Sequence, residues 1–196
     1  MSTPAKLNFK VYAGTDFNEV LRWESSLKTY VPITGIANSA PLVVTAPAHG
    51  VPNEWRVRFT NILGMTELNN SETYYQVTNI GTNTLTINDI NSISFKAYAS
   101  GGIVEYNTPV NLSGFTAKMQ IKDSVDSTEV IRELNTENGG IIIDNIGKVI
   151  ILNLSASITS AFTFTNAYYA LEVISAGNQA TLFCVGNITV LQTGII

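Results

Sequence analysis

The sequence predicts an all-β protein, a β-sandwich interrupted by a small β-barrel. Apolar and polar residues alternate with a period of two along several segments, and turn-forming residues separate these segments at short intervals. Nowhere do apolar residues keep helical spacing for the ~10 to 12 residues of a secure helix. Short strands joined by Gly and Asn turns are typical of sandwiches and barrels.

Several segments alternate as half-buried strands do. The clearest is 115–122, where Phe115, Ala117, Met119 and Ile121 fall on one face and polar residues on the other. Each such strand offers one face to a core and one to solvent. The same spacing predicts three more strands, with inward-facing Leu7, Phe9 and Val11, then Leu21 and Trp23, then Tyr169, Leu171 and Val173.

Residues 148–154 (KVIILNL) are apolar on both faces, which predicts a central strand covered on each side. The turn formers at 144–147 predict a hairpin between this strand and residues 141–143. The best helical candidate is the short stretch 157–162, for which we expect a single turn.

The last strand is predicted over residues 180–190, and its two faces differ in what they offer. Its outward face is unusually apolar and would form an exposed patch on a monomer, which a partner protein could cover. The residues predicted to face inward are Ala180, Leu182, Cys184, Gly186, Ile188 and Val190. The predicted protein interface consists of Phe183, Val185, Leu191, Ile195 and Ile196.

Turn formers are concentrated in the middle of the chain, which indicates a separate module over residues 33–106. Residues 1–32 and 107–196 must then form the other domain together, since two N-terminal strands cannot bury their apolar faces alone. The module is expected in a loop between the second and third strands of that domain. Its predicted strands are 42–45, 55–60 with Trp55 facing inward, 74–80 and 84–87.

Composition excludes several classes of partner. The net charge is −4 and no basic run appears, so nucleic-acid binding has no electrostatic basis. No run of ~18 apolar residues is present, so we expect a soluble protein without a membrane partner. Cys184 is the only cysteine, which rules out an intrachain disulfide and fits a reducing compartment.

The residues needed for catalysis are scarce. His49 is the only histidine, and its place in a turn favours local hydrogen bonding over a catalytic or metal-binding role. Cys184 is predicted to be inert in the core. A glycosidase pair among Asp123, Asp126, Glu129 and Glu133 is the alternative to a solvated loop, which we favour. We expect no catalytic site, no metal, no cofactor and no enzyme activity.

The flanks resemble the immunoglobulin-like domain at the N-terminus of phage baseplate upper proteins. The resemblance rests on VNLSGFTAKMQIKD (110–123), ELNTENGGIIIDNIGKVIILNLSAS (133–157) and NAYYALEVISAGNQATLFCVGNITV (166–190). The family's "polar, Leu, Ser or Thr, Gly, aromatic" step matches 111–115. The resemblance implies an immunoglobulin-like sandwich.

The middle module resembles the small barrel that is named after the ubiquitin-activating enzyme and recurs in phage tail proteins. The matching residues are VVTAPAHGV (43–51), the 64–69 turn, YYQV (74–77) and NTLTI (83–87). Asn70 stands where the family often has glycine. The resemblance does not imply ubiquitin transfer, because this module is not where that enzyme's chemistry occurs.

Together the resemblances imply a structural virion protein, a tail or baseplate adaptor that docks on a tail ring and links neighbouring subunits or fibres. We expect partners among other virion proteins, several copies in a symmetric assembly, synthesis in the host cytoplasm and a final location in the phage tail. Head decoration and glycan or host-surface binding stay open as alternatives. The aromatic candidates for glycan binding are Tyr12, Tyr30, Tyr74, Tyr168 and Tyr169.

Overall fold

The computed structural model describes residues 3–69 and 72–192, and strands make up nearly all of its regular structure, which confirms the all-β prediction. A short 3₁₀ helix covers Thr66–Leu68, and helix α1 covers Ala156–Ser160, which begins one residue before the predicted stretch 157–162 and overlaps it. Strands β1 to β17 span Ala5–Lys6, Phe9–Tyr12, Phe17–Arg22, Glu24–Pro32, Gly35–Ala37, Leu42–Thr45, Arg56–Leu63, Tyr75–Gln76, Asn79–Ile80, Thr84–Ile87, Ser100–Pro109, Thr116–Lys122, Arg132–Asn135, Ile141–Asp144, Val149–Leu154, Asn166–Ile174 and Ala180–Leu191.

The chain divides into two compact units. Met1–Arg22 and Asn111–Ile196 form one, called here the sandwich unit, and Trp23–Val110 form the other, called the barrel unit. These bounds differ from the predicted module at 33–106 and flanks at 1–32 and 107–196. The reason is that β4 pairs along its length with β11 and so belongs to the inserted unit.

The sandwich unit contains two sheets. The large sheet has the order β1-β17-β16-β12-β13, with β2 also beside β17, and the small sheet has the order β14-β15-β3. Strands β1 and β2 run parallel to β17, and the other pairs are antiparallel. Immunoglobulin domains place strands B, E and D in one sheet and C, F and G in the other, and the observed order is the same. The barrel unit occupies the connection between B (β3) and C (β12).

The facing sides of the two sheets carry the sandwich core. Ala117, Met119 and Ile121 are buried, which confirms the alternation predicted for β12. The Phe9 ring stacks on Tyr169 with centroids 5.0 Å apart and meets the Phe17 ring of the small sheet edge-on at 5.7 Å. Aromatic pairs of this kind stabilise beyond their buried area, so the two sheets are joined here.

Two predictions about the first strands are wrong. Leu7 was expected to face inward with Phe9, but it lies between β1 and β2 and is exposed, while its carbonyl accepts a hydrogen bond from the Tyr169 hydroxyl at 3.0 Å. Trp23 was expected beside Leu21 in a strand, but it lies between β3 and β4 and is half-buried. Both residues lie where one strand ends and the next begins, so strand alternation does not extend to them.

Backbone hydrogen bonds close the barrel unit into a ring. Its two sheets have the orders β4-β11-β7-β8 and β5-β6-β10-β9. On one side, Ile33 N donates to Gly102 O and Thr34 N donates to Thr45 O, so the chain from β4 to β5 bonds to both sheets. On the other side, Val77 N donates to Trp55 O and Thr78 N to Thr86 O. A sheet closed in this way is a barrel.

The barrel encloses a continuous apolar core. Trp55 and Phe59 are fully buried within it, which confirms the inward position predicted for Trp55. The Trp55 Nε1 donates to the Asn107 carbonyl at 2.9 Å, so this buried ring has a partner for its polar atom. Strands β6 and β10 have the predicted bounds, whereas the single strand expected over 74–80 is divided into β8 and β9.

Gly186 of β17 is expected to tolerate no side chain. A Cβ at this position would overlap the carbonyl oxygen of Leu7, which also accepts the Tyr169 hydroxyl. We therefore expect Gly186→Ala to destabilise the sandwich unit by roughly 2 kcal/mol or more, since β1 must move away from β17. Urea denaturation followed by circular dichroism measures the unfolding free energy of the sandwich unit. Tryptophan fluorescence would not report on that unit, because both tryptophans lie in the barrel unit.

Gly177→Ala is the matched control. Its Cβ would meet only the Ser175 hydroxyl, at 3.8 Å, so the unfolding free energy should change little. Equal stability of the two variants would contradict the crowding at Gly186.

Candidate functional site

His49 is buried and has a structural partner for each ring nitrogen. The backbone N–H of Val51 donates to Nδ1 at 3.0 Å, so Nε2 carries the proton and donates to the Gly81 carbonyl at 2.8 Å. The His49 carbonyl accepts the Tyr106 hydroxyl at 2.6 Å. The imidazole therefore ties together a turn of the barrel unit, as its position in the sequence predicted.

Cys184 lies in the sandwich core, which confirms the prediction of a buried thiol. Burial raises its pKa, although the Tyr169 hydroxyl, 3.7 Å from Sγ, acts in the opposite direction. A thiol that resists ionisation is a poor nucleophile. The arrangement is that of a core residue.

The acidic residues of the sandwich unit do not form a metal-binding group. Asp123, Asp126 and Glu129 are exposed in the loop after β12. Glu133 on β13 accepts hydrogen bonds from Gln120 at 2.9 Å and Asn135 at 3.1 Å, which lower its pKa. Within residues 3–69 and 72–192, no cluster of three His, Cys, Asp or Glu residues could hold a metal ion.

The predicted interface residues lie in and after a β-bulge in β17. Leu171 of β16 pairs with Cys184, but Glu172 pairs with Leu182, so Phe183 is the extra residue of the bulge. Val185 faces outward opposite Ala170, and Leu191 pairs with Tyr12 of β2; both are half-buried. Ile195 and Ile196 lie outside the described residues.

The bulge corrects the predicted faces of the first part of β17. Cys184, Ile188 and Val190 are buried as predicted, but Leu182 is 45% exposed and shares the outer face with Glu172. A one-residue slip moves every side chain before it to the other face of the sheet. The exposed leucine on this face is therefore Leu182, which the strict alternation placed in the core.

A groove of about 330 Å³ lies on this outer face of the large sheet. Cross-strand pairing arranges its lining in three rows over β12, β16 and β17, and Val125 from the loop after β12 completes it. Ala170 is at the centre, and its small side chain leaves the surface concave. The rows of the lining are Lys118, Glu172 and Leu182, then Gln120 and Ala170, then Lys122 and Tyr168.

Apolar and charged groups are both present at the groove. Leu182 and Val125 are exposed apolar side chains, and the charged groups of its lining are Lys118, Lys122 and Glu172. Two lysines against one glutamate give this lining a positive balance on a chain of net charge −4. An apolar floor with charged margins suits a protein partner.

The barrel unit carries a second polar cluster, on the outer face of β4, β11 and β7. Glu105 lies at its centre, buried to 6% exposure of its side chain, and pairs with Lys28 and, at 2.7 Å, with Arg58. Beside it, Arg56 forms a bidentate pair with Glu24 at 2.9 and 2.8 Å. These residues come from three strands, so the cluster holds that face of the barrel together.

Tyr74 covers this cluster. The Lys28 Nζ and the Arg58 Cζ each lie 5.6 Å from the centre of its ring, and the Arg56 Cζ lies at 5.7 Å. Lys28 also donates to the Tyr74 hydroxyl at 2.9 Å. Cations within about 6 Å of an aromatic ring are attracted to its face. The ring is thus occupied by side chains of its own chain.

The pKa of Glu105 reflects two opposing effects. Burial on its own raises the pKa, but hydrogen bonds and charge from Arg58 and Lys28 outweigh burial and hold the pKa below its usual range. The pKa values of Lys28 and Arg58 are raised, chiefly by the same hydrogen bonds to Glu105. The charged form of all three groups is therefore favoured in the folded protein.

Comparison with known proteins found a similarity for one part of the chain. Residues 41–107 match the family of the ubiquitin-activating enzyme E1 FCCH domain. The matched region extends from just before β6 into β11, so it supports the small barrel-like module. A search of the curated proteins gave no match. The match leaves out β4, although β4 is part of the same barrel.

No helix among the described residues is long and apolar enough to span a membrane. Sequence reasoning did not predict the groove or the Glu105 cluster. The lining of each comes together only through cross-strand register, and Lys28, Arg58 and Glu105 are widely spaced along the sequence.

Glu105→Gln is expected to destabilise the barrel unit by roughly 1–3 kcal/mol near neutral pH, because two cations lose their carboxylate partner. The lowered pKa of Glu105 means that its contribution is fully present above the unfolded pKa of about 4.3. It is lost as pH falls through the lower, folded pKa. Urea denaturation at several pH values, followed by fluorescence of the buried Trp55, measures both effects.

Asp89→Asn serves as the control, because it also replaces a carboxylate with an amide in the barrel unit, but at an exposed position. Its stability near neutral pH should be close to that of the wild type. If the gap between wild type and Glu105→Gln stayed constant as the pH fell well below 4, the ion-pair account of Glu105 would be wrong.

Proposed function

We propose that the chain is a structural protein of a bacteriophage virion, a tail or baseplate adaptor that docks on a tail ring and links neighbouring subunits or fibres. The observation that supports it most is the outward groove of the large sheet. Two resemblances also support the proposal. The sandwich resembles the immunoglobulin-like domain of baseplate upper proteins, and the barrel resembles a module that recurs in phage tail proteins. The predicted interface at Phe183, Val185, Leu191, Ile195 and Ile196 is part of this proposal.

The groove suits a segment of another virion protein. Leu182, Val125 and Ala170 offer apolar contact, while Lys118 and Lys122 on β12 favour acidic groups on the partner. Charge complementarity of this kind sets orientation and the rate of association, and apolar contact supplies affinity. The partner expected here is therefore a protein segment with both apolar and acidic side chains.

Glycan binding is a second candidate, favoured by one aromatic residue. Tyr168 lines the groove beside Lys122 and close to Gln120, and a ring flanked by polar groups can stack on a sugar. Of the other aromatic candidates, Tyr169 is buried and Tyr74 is covered by three cations. Tyr12 and Tyr30 are exposed on different units.

The location on the particle is the first test. Mass spectrometry of purified virions should detect the chain, and an electron-microscopy map should contain its sandwich and barrel at the tail or baseplate. Density on the capsid would replace the adaptor proposal with head decoration. Absence from virions would refute both.

Ala170→Trp is expected to fill the groove and to remove the chain from assembled particles, with at least a tenfold loss of incorporation. The side chain of residue 170 faces outward, so thermal stability should remain near that of the wild type. Quantitative mass spectrometry of virions made with the variant measures incorporation.

Thr116→Trp is the matched control, because Thr116 is exposed on the same face of β12 but does not line the groove. Normal incorporation of both variants would show that the groove is not a docking site. In the same comparison, a glycan array that gives signal with wild type but not with Ala170→Trp would favour the sugar-binding alternative.

A further inference from the structure

The outer face of the small sheet is unusually apolar. An antiparallel sheet with one open face normally alternates apolar residues inward and polar residues outward. Strand β15 departs from this, because Ile150, Leu152 and Leu154 fill the core while Val149 and Ile151 face outward. The sequence pattern predicts cover on both sides of this strand, and among the described residues the structure provides it on one side only.

The outward side chains form three rows across β14, β15 and β3. The middle row is wholly apolar and consists of Ile142, Ile151 and Val20, which are paired in register. The side chains at its two ends, Ile142 and Val20, are 46% and 44% exposed. One adjacent row is polar, with Asn153 opposite Asn18. The other adjacent row is Asp144, Val149 and Arg22, which places opposite charges at opposite edges of the sheet.

We infer that this face binds a second copy of the chain through a two-fold axis that runs along β15. Such a rotation exchanges the two edges of the sheet. It places Ile151 over Ile151, and each Ile142 over Val20 of the other copy. It also places each Asp144 over Arg22 of the other copy, so opposite charges meet at two equivalent positions.

The charge pattern is what favours a second copy over an unrelated partner. The outward rows carry one acid and one base, so their charges cancel although the chain as a whole has a net charge of −4. Two copies can therefore approach through this face without the repulsion that the rest of their surfaces would cause. A two-fold contact is also the commonest form of self-association.

The contact is weak when it acts alone. Three strands about 4.8 Å apart and about 20 Å long present roughly 300 Å² per copy. Stable interfaces bury about 800 Å² per partner, so we expect association only at high micromolar to millimolar concentration. Where many copies are held on one scaffold, the effective concentration is in this range, and the contact then becomes significant.

This inference does not depend on the tail or baseplate proposal. It concerns the opposite sheet of the sandwich from the groove, and it is tested with the purified chain alone. Failure to self-associate would leave the adaptor proposal standing, and absence from virions would leave the dimer standing.

The experiment uses two variants at positions that the axis brings together, Ile142→Lys and Val20→Glu. Each variant alone would bury two charges against apolar side chains, which should weaken self-association at least tenfold. In an equimolar mixture, one contact becomes a lysine–glutamate pair and the other remains the native apolar pair. The mixture should therefore associate at least tenfold more tightly than either variant alone, as measured by sedimentation equilibrium from about 10 µM to about 1 mM.

Ile131→Lys is the control, since Ile131 has a similar exposure of 43% but is not part of the small sheet. It should self-associate like the wild type, and circular dichroism should show that all three variants are folded. A monomeric wild type at about 1 mM, variants that associate unchanged, or a mixture no tighter than its components would each overturn the inference.

Discussion

The whole sandwich depends on strand pairing across the inserted barrel unit. Strand β3 precedes the insertion and pairs with β15, and β1 and β2 pair with β17 near the other end of the chain. Contacts of such high sequence separation are costly to form, because the intervening chain must first be closed into a loop. The barrel lowers this cost, since β4 and β11 pair antiparallel and place Glu24 opposite Pro109. Once the barrel has folded, the two flanks begin at neighbouring points.

Much of this fold follows from alternation in the sequence. Strand β12 was predicted to within a residue because its side chains alternate without interruption. The hairpin of β14 and β15 was predicted because turn formers separate two apolar segments. Strands β6 and β10 have the predicted bounds. Strand β4 was not predicted, since Glu24–Pro32 is half-exposed along its length and shows no apolar face. Its role comes from backbone pairing with β11, which alternation does not report.

For the site residues as well, local features could be predicted from the sequence, whereas features that depend on strand pairing could not. His49 and Cys184 could be assessed from sequence because the question was local: whether a turn histidine or a core cysteine has the neighbours that chemistry requires. The sheet face on which Leu182 lies could not be predicted, because a bulge at Phe183 reverses the alternation and no residue type indicates the bulge. The groove and the Glu105 cluster needed the register of three strands each. Register is a property of pairs of segments, so one segment cannot reveal it.

The closed ring of the barrel unit also explains why such a module can be placed inside another domain. An open sheet has edge strands whose free N–H and C=O groups compete for pairing with any neighbour, including the host sheet. Because the links at Ile33 and Thr34 and at Val77 and Thr78 join both sheets of the barrel, they leave no such edge along these two sides. The barrel unit therefore does not compete with β1, β2 and β17 for strand pairing. A sandwich whose strands come from two distant segments can contain this inserted unit without pairing its own strands to those of the barrel.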